Sequence, residues 1–335
     1  MPQREKFRIS TDSKEGATPG LTASLAPLEN HGESKSFIKT AFTWTGSVAP
    51  SVLPRVLGGM AFAAVIAILS QRIPALSEAS LTFEYFSAVL GLLLIIRVNA
   101  GIDRWWEARK IWGSIVNQSR NLAIIAYTYS TDKRELGPQF LHWVAAWPHI
   151  MRESLRREEK LGEVTELLGA EEAQRIRKSG HMPTYVGARI AQLLVKLREH
   201  GLDDFAFQRA ERERALLIDA IGACERIRNT PIPLALAIKT RRFILLFVAL
   251  LPFALIDRMG YLYIPFVVGI VSYPLFALDE IGAELQNPFS PRNVSHLPLN
   301  GICDTIEENV LSLRSSETES IKQYASDDGA DLREY

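Results

Sequence analysis

Residues Gly91–Arg109 read GLLLIIRVNAGIDRWWEAR, an apolar helix-like run that passes straight into arginine, asparagine, aspartate, glutamate and two tryptophans. No turn signal separates the two halves. Leu90–Ile96 is wholly apolar apart from Gly91, whereas Arg97, Asp103, Arg104, Glu107 and Arg109 are side chains that hydrocarbon excludes unless they face protein or water. Trp105 and Trp106 suit a membrane boundary, because an indole is apolar in body and polar at its N–H. The stretch predicts a helix leaving a membrane, of the kind that lines a pore. On this segment alone, the competing reading is a long buried helix of a soluble protein that ends in a charged face.

Composition favours a mixed protein. The 335 residues carry formal net charge +0, 47% are hydrophobic, and the mean hydropathy is +0.03. That is too polar for a chain made only of membrane spans and too apolar in patches for an ordinary soluble one. The balanced charge argues against a nucleic-acid partner. Cys224 and Cys303 lie far apart and form neither a CxxC nor a zinc spacing. They are expected to be reduced core thiols in a cytosolic part.

Outward from the opening stretch, the apolar runs fall into two pairs: Val56–Leu69 with Phe86–Ile96, and Phe243–Ile256 with Tyr261–Leu278. Most are shorter than the ~20 residues that cross hydrocarbon unaided. Polar neighbours such as Thr82–Tyr85 extend them if those neighbours face other helices or water. The link within each pair holds few cations, Arg72 in the first and Arg258 in the second. Nearly all other Lys and Arg lie before, between or after the pairs. The positive-inside tendency then puts both termini and the long middle in the cytoplasm. Pro252 and Pro274 inside spans are tolerated where neighbouring helices satisfy the freed carbonyls.

The rest is expected to be helical. Residues 1–36 read as a flexible cytoplasmic tail, and 37–107 as an interfacial helix at Phe37–Trp44 followed by the first hairpin. Residues 108–230 carry helical spacing at Ala123–Tyr129, Phe140–Leu155, Glu163–Lys178, Tyr185–Glu199 and Phe205–Arg228. Residues 231–280 form the second hairpin, and 281–335 a cytosolic region with a loose tail. The fold class is all-α: an integral membrane protein with a cytosolic helical bundle.

The run IRVNAGIDRWWEARKIWGSIVNQSRNLA, the motifs NTPIPLALAIKTRRF and LPFALID, and the segment LDEIGAELQNPF followed by LPL resemble, in matching order, the bacterial and plant branch of the bestrophin family. The resemblance implies a homopentamer whose subunits each contribute four membrane helices around one ion pathway on the fivefold axis. It also implies a pore neck at Ala88, Leu92 and Ile96. Positions i, i+4 and i+8 share a helix face, so five copies would stack three apolar rings, which close a pore by expelling water. Ala88 implies a wider level than the other two. Ordinary helix packing is the alternative for Leu92 and Ile96.

The resemblance places a second, cytosolic aperture at Ile232, between Pro231 and Pro233. Asn229 and Thr230 read as N-caps of a helix whose positive end would face the ion path. Arg97, Arg104, Arg241 and Arg242 need partners such as Asp103, Glu107, Asp279 or Glu280, and the pairing stays open in the sequence. Asn99 is placed to face an inner vestibule. Residues 286–304 offer almost no carboxylates, so the calcium site of animal relatives is not expected.

No HExxH, GxSxG, P-loop or GxGxxG motif occurs. His142 and His149 sit seven apart, but no carboxylate or cysteine is expected to complete a metal set with them. The expectation is therefore a passive channel, not an enzyme, with no catalytic residue, metal or cofactor. Its partners are the bilayer, small monovalent anions (chloride first) and further copies of itself. It is expected in the cell inner membrane with both termini cytoplasmic. The alternatives are a sodium-type cation channel and a non-conducting membrane-anchored scaffold.

Overall fold

A computed structural model describes residues 37–44, 46–73, 83–132, 134–291 and 296–331. The tail expected over 1–36 lies outside them. The described residues form helices and no strands: α1 Phe37–Ala41, α2 Ala49–Ser70, α3 Phe83–Thr128, α4 Leu136–Arg156, α5 Gly162–Leu168, α6 Ala170–Lys178, α7 Met182–Glu199, α8 Asp204–Asn229, α9 Leu234–Leu255, α10 Ile264–Glu284 and α11 Leu299–Asp331.

The organising element is α3. Its 46 residues contain no proline, so nothing removes an intrahelical donor or clashes with the preceding turn. At 1.5 Å per residue it runs about 70 Å. One face of it serves two cores. Leu90 and Leu94 join residues of α2, α9 and α10, including Val56, Phe247 and Val268, in an apolar layer. Further along, Ala108, Trp112, Ile115, Leu122 and Ala126 join the core of a helical bundle built with α4 to α8 and α11. The steps between these residues are three, four or a multiple of seven, so the buried face keeps the helical period across both cores. Phe86 reinforces the layer by packing against Phe243 and Phe247, with ring centroids 5.5 and 6.1 Å apart.

Among the described residues, three helical segments are long and apolar enough to cross a membrane: Ala49–Ser70, Phe86–Thr128 and Ile264–Glu284. Less than half of each apolar window is buried, 22% in the second. Most of their apolar surface therefore faces away from the subunit. Helix α9, expected as a further span, has the length at 22 residues. It differs in carrying Lys239, Arg241 and Arg242 together near its start. Pro54, Pro252 and Pro274 all lie inside continuous helices of this layer.

In the bundle, α4 is buried on nearly every side, and Pro148 lies within it without ending it. Trp147 Nε1 donates to the Pro183 carbonyl at 3.1 Å, satisfying a polar atom that burial would otherwise leave costly. The stretch Glu163–Lys178, read from sequence as a single helical segment, is broken at Gly169 into α5 and α6. That glycine has φ +86°, a backbone that side-chain-bearing residues rarely adopt. Gly201, at φ +98°, likewise ends α7. Cys224 and Cys303 are free and buried. Burial pushes the Cys224 thiol up to about 12 and raises Cys303 as well, so neither is a nucleophile at neutral pH.

Candidate functional site

The residues Ala88, Leu92, Ile96, Asn99 and Asp103 lie along one edge of α3. At 100° per residue they fall within a sector of about 80°. All five are exposed on the subunit, Leu92 at 59% and Ile96 at 47%. Val89 and Ile95 flank them and are exposed too. Leu90, Leu94 and Arg97 point the other way, into the layer. The proposed neck residues are thus not absorbed by packing within their own subunit.

Behind that edge sits a charged brace that draws on every helix of the layer. Arg97 Nε of α3 lies 2.8 Å from Asp279 Oδ1 of α10, and these side chains are 2% and 4% exposed. The N–H is poorly aligned on that oxygen, so the contact is an ion pair without a hydrogen bond. Arg241 Nε of α9 donates to Asp279 Oδ2 at 2.9 Å. Arg55 of α2 donates to Glu280 at 2.6 Å. The sequence leaves the pairing open and misses Arg55. Its signal was nevertheless present, since it is the single charge in an otherwise apolar helix. Arg242 faces outward.

Arg104 acts differently from the carboxylate pairing expected of it. Its guanidinium donates to backbone carbonyls: Thr230 at 2.7 Å, Gln286 at 3.1 Å, and Ile227. It thereby ties α3 to the end of α8 and to the segment after α10. Glu107 pairs with Arg226 at 2.8 Å on the surface. Asn99 and Asp103 stay on the exposed edge.

Ile232, expected at a cytosolic aperture, lies partly buried in the non-helical Pro-Ile-Pro link between α8 and α9. Asn229 and Thr230 do not cap α9 as expected. Asn229 is the last residue of α8 and Thr230 its C-cap, while Pro233 occupies the N-cap of α9 without a side-chain cap bond. The cause is that α8 runs on to the residue before Thr230, and Arg104 takes the carbonyls at its end. Beside the link lies a cleft of about 540 Å³ lined by Arg156, Arg157, Arg228, Glu158 and Pro231, among others. Burial and the nearby Arg157 lower the Arg228 pKa, and burial with Arg152 lowers that of Arg156. Three guanidiniums against one carboxylate give that cleft a surplus of positive charge.

The family description "Bacterial/Fungal Bestrophin protein" matches residues 30–312. The chain belongs to the bacterial/fungal bestrophin family. A voltage-dependent anion channel-forming protein of Nostoc sp. is 33% identical over 286 residues, covering 84% of this chain and 92% of that one. One of Escherichia coli K12 is 30% identical over 280 residues, covering 83% and 91%. The crystal structure of a bacterial bestrophin homologue from Klebsiella pneumoniae superposes with a TM-score of 0.72 at 27% identity, covering 79% of this chain and 98% of that one. The bestrophin family and its channel-named members make this an ion-channel membrane protein.

Proposed function

We propose that this bestrophin forms a passive channel for small monovalent anions, chloride first, as a homopentamer with four membrane helices per subunit. In this reading α2, the first part of α3, α9 and α10 cross the cell inner membrane, and both termini and the bundle are cytoplasmic. Calcium activation is not part of it. Five α3 edges face a common axis, so Ala88, Leu92 and Ile96 form the neck, Asn99 and Asp103 enter the vestibule, and Ile232 rings the exit.

The observation that carries this reading is the exposed apolar edge of α3 opposite its packed face. Two supports favour anions. The relatives are named for anion channels, and arginines dominate the cleft beside Pro231. A cation-selective reading has one specific support: Asp103 is exposed on the neck edge, where five copies would make a carboxylate ring. The carboxylates and histidines of the chain act as braces in this reading, with no covalent chemistry.

Reversal potentials of the purified protein in liposomes, under asymmetric sodium chloride, test it. A reversal near the chloride equilibrium potential supports the anion channel. A reversal near that of sodium establishes the cation channel. Tight vesicles containing intact oligomers establish a scaffold.

A further inference from the structure

A cleft of about 230 Å³ opens between α2, α9 and α10, lined by Arg55, Arg241, Asp279, Ile244, Leu245 and Phe276. Its walls change from charged to apolar within one helical turn. On α9, Ile244 and Leu245 follow Arg241 by three and four residues and therefore stand beside it on one face. On α10, Phe276 precedes Asp279 by three. The two helices are joined by a short link and run in opposite directions, so both present charge at the same end of the cleft and hydrocarbon at the other. That end is where the apolar layer gives way to polar sequence.

The charges there do not balance. Asp279 faces two arginines, Arg97 at 2.8 Å and Arg241 at 2.9 Å, while Glu280 faces Arg55 at 2.6 Å. Three guanidiniums share two carboxylates. Lys239 and Arg242, exposed on the same stretch of α9, outnumber Glu284, one turn beyond Glu280. Arg97 is sealed, but the Arg55 and Arg241 side chains are 46% and 53% exposed. Each guanidinium has five N–H donors in a fork that fits phosphate oxygens, and one carboxylate contact leaves most of them unused. A surplus cation at the edge of hydrocarbon is costly without a counter-charge.

We propose that this cleft is a binding site for an anionic phospholipid. Arg55 and Arg241 hold the headgroup phosphate, and an acyl chain lies along Ile244, Leu245 and Phe276. A zwitterionic lipid offers the same phosphate, but its ammonium cancels the charge the site lacks. The site stands apart from the α3 edge, so it holds whichever ion passes.

Native mass spectrometry of the full-length protein with dioleoylphosphatidylglycerol and dioleoylphosphatidylcholine tests it. Wild type is expected to retain the glycerol lipid in preference to the choline lipid, even in a large excess of inorganic phosphate. Arg241→Gln is expected to lower retention about fivefold, the scale for one cation at an anionic surface. Leu245→Trp, at a 61% exposed position, is expected to fill the apolar end and abolish retention while the protein keeps its elution volume. Equal retention of both lipids, or retention indifferent to Leu245→Trp, overturns the site. Displacement of the glycerol lipid by phosphate also overturns it, making the cleft a free-anion site.

Discussion

Arg97 and Asp279 meet 2.8 Å apart where α3 and α10 cross, and both side chains are almost fully buried. A pair of this kind adds little over well-packed apolar side chains, yet removing one partner strands the other charge. Asp279→Asn is therefore expected to cost about 3–5 kcal/mol, seen as loss of the folded peak on size exclusion after graded heating. Adding Arg97→Met to it should recover part of that loss. A double variant as damaged as the sum of its single variants would deny the coupling.

Arg104 satisfies carbonyls at the end of α8 and after α10. Arg104→Ala should destabilise by about 1.5–3 kcal/mol, the range for hydrogen bonds to a charged group. Amide exchange near Thr230 and Ile232 should speed up before exchange in α4 changes. Uniform acceleration would mean that Arg104 stabilises the whole molecule instead of holding this link.

Gly101 sets how closely α3 approaches α10. A Cβ there would lie 3.0 Å from the Leu285 Cβ and 3.3 Å from the Gly282 carbonyl oxygen. Neither neighbour is the end of a flexible side chain. Gly101→Ala is expected to cost about 1–3 kcal/mol as overpacking, despite the better helix propensity of alanine. An unchanged thermal midpoint would show that the helices can separate freely.

For the proposed neck, Leu92→Ala and Ile96→Ala are each expected to raise ion flux into liposomes. Smaller rings leave more room for water and lower the dewetting barrier. Leu94→Ala, which opens a cavity in the layer core, should lower stability by roughly 2–5 kcal/mol without that gain. Equal flux from Leu92→Ala and wild type would move the limiting constriction away from α3.

Acid should weaken the bundle. Burial, with Arg314 adding, holds His142 below its ordinary value of 6.5, and burial does the same to His296. The unfolded chain takes up these protons near 6.5 while the folded one resists, so their contribution is complete above that pH and is lost as pH falls through the folded values. Asp304, raised by burial, acts in the opposite sense. Thermal midpoints should drop on acidifying through 6.5, less steeply in His142→Gln with His296→Gln. A flat profile would contradict the assignment.

The sequence carried much of what depends on residues within a turn or two of one another, though not the capping at Asn229 and Thr230. The unbroken α3 follows from the absence of proline between Phe83 and Thr128, and the two apolar pairs from uninterrupted runs of side chains. The limit of that reading is visible at Gly169. Apolar spacing continues across it, but a single φ of +86° ends one helix and begins another.

Contacts across the chain were a different matter. Arg55 and Glu280 are 225 residues apart, and Arg104 and Thr230 are 126 apart. Which arginine takes which carboxylate, and that Arg104 takes carbonyls instead, depended on how the helices cross, because charge pairing is decided at a few ångströms and carries no periodic signature. Packing likewise decided that Leu94 is buried while Leu92, two residues away, remains exposed. The residue types set where a helix could form and what it would tolerate around it, and only the assembled layer set which face met which neighbour.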